Sequence, residues 1–337
     1  MKFIPPPPPV PACFASFRSR RIPRILALCA LLAALVLKAK AQDLSHAALF
    51  APNTSFPYFA SCGQVDTPEP DAFSLSIAAQ LAQCSLLIYV KEDAFIQERL
   101  AEAGFSDSQT FDQLGTYAFL AENEGNLIIA FRGTETGDQT DYLTDAKFNQ
   151  TSFTEHGTAH SGFVEALAQV SSDLRQSIDE RLQENPGKRV WITGHSMGGA
   201  LATLFAIEHP DLVNAVYTFG APRTVGRQLA GHCQASLPLF RIVNNNDLVP
   251  RLPSPPFYEH IGSTYFLTAE RSLIIDPAGL ETWTERAKGH SEFLKRLVSE
   301  HWMRKDFSAI PSAYFVDHSP RLYAELLIEL AEQETAE

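Results

Sequence analysis

Gly194-His195-Ser196-Met197-Gly198 sets a serine between two glycines, each two positions away. The run before it, Lys188–Thr193, is β-type, and Gly199–His209 after it is helical up to Pro210. A strand that turns at once into a helix strains the residue at the bend and pushes its Oγ into the open, while side chains at the flanking glycines would collide with the crossing. Small residues at Gly199, Ala200 and Ala202 let the helix lie close to the strand. Its N-terminus offers N–H groups and a positive dipole end to a developing oxyanion. The bare pattern also arises by chance in a chain this long; the strand and helix around it carry the argument.

A serine hydroxyl needs a base, and the base needs an orienting acid. Asp247 follows the strand-like Leu239–Val243 across Asn244-Asn245-Asn246 and precedes Pro250. Such Asn/Asp clusters also make Asx turns. Asp211 and Asp276 are weaker rivals, because neither follows a convincing strand. Four downstream histidines compete for the base, namely His260, His290, His301 and His318. Chain order favours His318, in Val316-Asp317-His318-Ser319-Pro320, without deciding among them. The neighbouring Asp317 should point its carboxylate away from that ring. Oxyanion donors are expected at Met197, directly after the serine, and in the turn after the strand Leu127–Phe131, where Arg132-Gly133-Thr134 stands. Those three residues also suit an ordinary strand-ending turn.

The strands and helices expected to carry these groups alternate. Asp71–Val90 has a helical apolar face at Ala78, Leu81, Ala82 and Leu86. Thr116–Leu120 and Leu127–Phe131 read as strands flanking the turn Glu122–Asn126. A helix over Gly162–Leu182 ends at Pro186-Gly187, and Leu212–Phe219 is a further strand. From Leu127 onward, strand and helix alternate, which predicts a mostly parallel central sheet flanked by helices. Residues 71–337 are expected to form this α/β domain, with 42–70 as an arm lying on it. Glu270–Phe307 mixes acids, bases, Trp283 and Trp302 around a helix predicted at Ser291–Val298, and reads as an insertion before His318. Arg321–Ala336 is predicted to be a final amphipathic acidic helix.

Residues 1–41 stand apart. Four arginines at 18, 20, 21 and 24 precede the apolar run Ile25–Leu37 and Ala39-Lys40-Ala41. A basic start, a short apolar core and an A-x-A step predict a signal peptide cleaved after Ala41, and secretion or periplasmic export. The apolar run is too short for a transmembrane helix, which needs about 20 residues. The whole chain carries a net charge of −12. Without this segment, whose seven basic residues have no acidic partner, the net charge becomes −19. Such a surface repels phosphate backbones, so no nucleic-acid partner is expected. Cys62, Cys84 and Cys233 remain, enough for one disulfide that the sequence does not assign. No Cys/His spacing suits zinc, and no cofactor is expected.

Several motifs in order over about residues 75–330 resemble the fungal-type, class 3 triacylglycerol lipases of the α/β-hydrolase fold. They are Ile129-Ala130-Phe131-Arg132-Gly133-Thr134, His160-Ser161-Gly162-Phe163, Val190 through Ala202, Thr218-Phe219-Gly220-Ala221-Pro222-Arg223, Arg241 through Pro250, and Asp317-His318 with Tyr323. The resemblance implies Ser196 as nucleophile, Asp247 as acid, His318 as base, and Thr134 and Met197 as oxyanion donors. It also implies a lid at Glu135–Phe148, with a short helix around Tyr142 and Leu143, and with Asp145 orienting the Thr134 hydroxyl. Only Tyr142, Leu143, Ala146 and Phe148 are apolar there, few for a segment that opens against lipid. The expected activity is hydrolysis of lipid carboxylic esters, at or away from a lipid–water interface. Phospholipase A1 and feruloyl-type esterase are alternatives with the same machinery, and a binding protein on the same fold is the distant one.

Overall fold

The computed structural model describes residues 46–50, 52–60, 72–134, 149–253, 255–296 and 313–336. Their strands are β1 (Asp107–Gln113), β2 (Thr116–Glu122), β3 (Asn126–Phe131), β4 (Gln150–Thr154), β5 (Gly157–His160), β6 (Arg189–His195), β7 (Ala215–Phe219), β8 (Val225–Gly226), β9 (Leu239–Asn244), β10 (Tyr258–Glu259), β11 (Ser263–Leu267) and β12 (Leu273–Ile275). Their helices are α1 (His46–Phe50), α2 (Leu75–Leu87), α3 (Asp93–Glu102), α4 (Ser161–Ala168), α5 (Ser171–Glu184), α6 (Met197–Glu208), α7 (Arg227–Cys233), α8 (Gly279–Arg296), α9 (Ala313–Val316) and α10 (Pro320–Ala336).

Eight strands form the central sheet in the order β1-β2-β3-β6-β7-β9-β11-β12. The five from β3 to β11 are parallel, and antiparallel strands close both edges. Every residue of β3 and of β7 is buried, as expected of strands covered on both faces. The period of two divides their side chains between two cores. Ile128, Trp191 and Tyr217 face the side covered by α2 and α10, while Ile129, Ile192 and Val216 face α4, α5 and α6. A buried side chain of this size contributes about 1.5–3 kcal/mol. Trp191 also satisfies its indole N–H on Asn126 Oδ1 at 2.8 Å.

The structure differs from the sequence reading in several places. The helix predicted over Gly162–Leu182 is two, α4 and α5. The chain tightens at Gln169 and Val170, whose N–H groups bond three residues back, to Ala166 and Leu167. The helix predicted at Ser291–Val298 begins at Gly279, so the insertion contributes the longer α8. A second antiparallel sheet, β10-β8-β5-β4, was not foreseen. Nor was the edge strand β1, whose sequence DSQTFDQ is polar. It joins β2 through Leu114-Gly115, both at positive φ, a turn that Leu rarely makes. Leu49 and Phe50 of α1 pack against Val316. Cys84 and Cys233 lie in separate cores and are not joined to each other. Residues 1–41, Cys62, 135–148 and 297–307 fall outside the described residues, and with them the segments expected to be a signal peptide, a lid and the end of an insertion.

Candidate active site

β6 runs directly into α6, and Ser196 stands at the bend with φ 56° and ψ −128°. This is strained backbone for a residue with a side chain. Close packing enforces it. A Cβ on Gly194 would lie 2.3 Å from the Gly198 backbone, and one on Gly198 would lie 2.1 Å from the Phe131 carbonyl oxygen. Met197 is the first residue of α6, so its N–H has no place in the helix ladder.

β9 delivers Asp247 through the Asn244–Asn246 turn, and the step between α9 and α10 delivers His318. Both are fully buried, and Ser196 is nearly so. His318 Nδ1 lies 2.8 Å from Asp247 Oδ2, and its Nε2 lies 3.0 Å from Ser196 Oγ. A carboxylate only accepts, so Nδ1 holds the ring proton and Nε2 turns its lone pair toward the serine. That tautomer is the one a base needs.

Asp247 divides its oxygens. Oδ1 accepts the Val249 N–H at 2.9 Å, the Asx-type contact that its sequence context suggested. Oδ2 takes His318 and also the Tyr323 hydroxyl, at 2.7 Å. Tyr323 Oη accepts the Asn244 N–H at 2.8 Å in return. Burial, and then the negative Asp247, hold the Tyr323 phenol well above its ordinary pKa, so it remains a donor. Gly220, at φ +60°, lies directly beneath the pair. A Cβ there would come within 2.6 Å of Asp247 Oδ2 and 3.0 Å of His318 Nδ1. Asp317 uses its carboxylate on the Asn246 N–H at 3.0 Å, away from the ring.

Thr134 and Met197 meet beside the serine, where Thr134 Oγ1 reaches Met197 Sδ at 3.4 Å. Gly133 is held equally close, since a Cβ on it would lie 3.3 Å from Ser196 Cβ. Ser196, Asp247, His318, Thr134 and Met197 are therefore brought together. The rival residues are not. Asp211 lies against Arg175, Asp276 Oδ1 accepts the Thr264 N–H, and His260 donates to the Pro250 carbonyl. His290 is exposed on α8. His301, Tyr142, Leu143 and Asp145 lie outside the described residues. The bonds of Tyr323 and the position of Gly220 were not read from sequence; the signal for both was their presence in motifs near the two ends of the site.

A mostly parallel sheet with helices on both faces, and a Ser–His–Asp arrangement whose serine sits at a strand-to-helix bend, defines an α/β-hydrolase. Residues 128–257 match the model of the family described as lipase (class 3). A triacylglycerol lipase of Arabidopsis thaliana is 32% identical over 209 residues, covering 46% of this chain and 40% of the relative. A secreted mono- and diacylglycerol lipase of Penicillium cyclopium is 28% identical over 185 residues, covering 52% of this chain and 59% of the relative. The chain thus spans less than two thirds of the length of these curated relatives. Among solved structures, a triacylglycerol lipase described as having a serine protease triad for its catalytic centre superposes with a TM-score of 0.52. It is 25% identical, over 60% of this chain and 82% of that one.

Proposed function

We propose that this chain is a secreted serine hydrolase that cleaves carboxylic esters of lipids through an acyl-enzyme. The observation that carries the reading is His318, which spans Ser196 and Asp247 with both ring nitrogens at hydrogen-bond distance. Ser196 Oγ attacks the ester carbonyl as His318 Nε2 takes its proton. Asp247 holds the tautomer and stabilises the imidazolium. The N–H groups of Met197 and Thr134, with the Thr134 hydroxyl, receive the oxyanion, each donor contributing about 3 kcal/mol. His318 then protonates the departing alcohol, and water, deprotonated by the same nitrogen, releases the acid. These steps use no metal or organic cofactor.

The family of residues 128–257 supports a lipid ester as substrate, and Tyr142, Leu143 and Asp145 are assigned to a lid by the same resemblance. The many polar residues of 135–148 favour a second reading, phospholipase A1 or feruloyl-type esterase. Export rests on the basic, apolar and Ala39-Lys40-Ala41 succession. No described helix is long and apolar enough to cross a membrane. The acidic surface disfavours nucleic acid as a partner.

Ser196→Ala should fold as the parent does and lose nearly all esterase activity, together with labelling by a fluorophosphonate. Substantial residual turnover in that variant refutes the assignment. Rates on triglycerides, phospholipids, aryl esters and short soluble esters separate the two readings.

A further inference from the structure

The residue before Ser196 is a histidine with no place in the steps above. His195 is fully buried, and both its nitrogens are engaged. Nε2 lies 2.7 Å from the backbone carbonyl oxygen of His318, and Nδ1 lies 2.9 Å from the Tyr89 hydroxyl. A carbonyl only accepts, so Nε2 carries the proton. Nδ1 then has only a lone pair, which the Tyr89 O–H must satisfy. The direction of donation is therefore fixed from Tyr89 to His195 to His318.

Tyr89 lies in the short helical turn Ile88–Val90 that follows α2, and its oxygen lies where a side chain on Gly133 would stand, 2.2 Å from the ideal Cβ. Burial raises the Tyr89 phenol, and Arg132 and then a backbone hydrogen bond from Gly133 act against it. One chain of polar contacts thus passes from the turn bearing Gly133 and Thr134, through the residue adjoining Ser196, to the backbone of His318. It joins four segments far apart in sequence. Burial is the main cause holding His195 well below the ordinary histidine pKa, and His318 opposite adds to it, so the ring stays neutral and its single N–H remains on Nε2. The His195 and His318 rings lie 4.5 Å apart, and the Tyr323 ring meets His195 in an edge-type contact at 5.8 Å.

We propose that Tyr89 and His195 are positioning residues, whose hydrogen bonds set the height of the His318 ring relative to Ser196 and to the Gly133–Thr134 turn. This rests on the hydrolase reading of Ser196, Asp247 and His318. Neither residue reaches the reacting atoms. A tilt of His318 weakens proton removal without altering how an ester sits, so the effect falls on kcat and leaves KM in place.

The test compares Tyr89→Phe, His195→Leu, His195→Gln and the double variant Y89F/H195L in the full chain, on a soluble short-chain ester. Melting temperature and fluorophosphonate labelling rate are measured alongside. Tyr89→Phe and His195→Leu should each lower kcat and the labelling rate by about tenfold or more, the effect of one lost buried hydrogen bond, with KM within about twofold. His195→Gln retains an amide N–H near the Nε2 position and should recover most of the loss. The double variant should be no slower than the slower single, because either change breaks the same chain. Should a single variant fail to fold, the other and the glutamine variant still decide. Labelling of Ser196 at the parental rate in both Tyr89→Phe and His195→Leu, or a loss seen only in KM or melting temperature, overturns the positioning role. A parent chain that neither turns over esters nor labels at Ser196 instead overturns the hydrolase reading beneath it.

Discussion

Tyr323 donates to Asp247 on the same carboxylate oxygen that receives His318, at 2.7 Å and 2.8 Å. The acid is thereby held from two directions within a buried site. Three partners on two oxygens leave the carboxylate little freedom to swing, and the ring it orients inherits that rigidity.

Tyr323→Phe removes this donor and strips the Asn244 N–H of its acceptor. Hydrogen bonds to charged groups contribute about 1.5–3 kcal/mol, so urea unfolding should register a loss in that range. Esterase kcat should fall about tenfold or more. A variant with parental unfolding midpoint and parental kcat contradicts the assignment of Tyr323 as a support of Asp247.

Gly220→Ala tests the space beneath the pair. The new methyl would sit against Asp247 Oδ2 and His318 Nδ1, on backbone that an L side chain adopts at a cost of about 1–2 kcal/mol. The expected result is a folded protein, modestly destabilised in a thermal melt, with activity reduced on the order of a hundredfold because the acid and base are forced apart. Full activity would mean that the turn relaxes away from the site.

Stability should fall as the medium is acidified below about pH 6.5. Burial holds His195 and His260 well below the ordinary histidine value, and His160 and His209 below it as well. The unfolded chain takes up these protons near pH 6.5, whereas the folded chain does so only at lower pH. The unfolded state thus binds more protons across that window, and stability drops with falling pH by up to about 1.4 kcal/mol per unit for each such histidine. Urea midpoints at pH 7.5, 6.5 and 5.5 measure the slope. His260→Gln, which retains a donor for Pro250, should make it shallower; an unchanged slope removes His260 from the account.

Trp191→Ala empties part of the core under α2 and leaves Asn126 Oδ1 without its indole partner. A loss of about 3–5 kcal/mol is expected from denaturant curves. A loss under about 1 kcal/mol would mean that the central strand tolerates a cavity there.

The features legible in the chain before folding were local ones. The bend at Ser196 follows from glycines that only one backbone crossing demands, and the alternation from Leu127 onward leaves a parallel sheet as the natural solution. Helix ends, edge strands and the split between α4 and α5 were less legible. A polar strand such as β1 owes its pairing to its neighbour rather than to its own pattern. Which of four histidines meets the serine was for the tertiary structure to decide on physical grounds, as were the two partners of Asp247 Oδ2 and the use of His195 as a link to Tyr89. These bonds join residues 71 to 123 positions apart. They form because a buried polar atom must find a partner wherever the fold places one, and no local spacing encodes where that is.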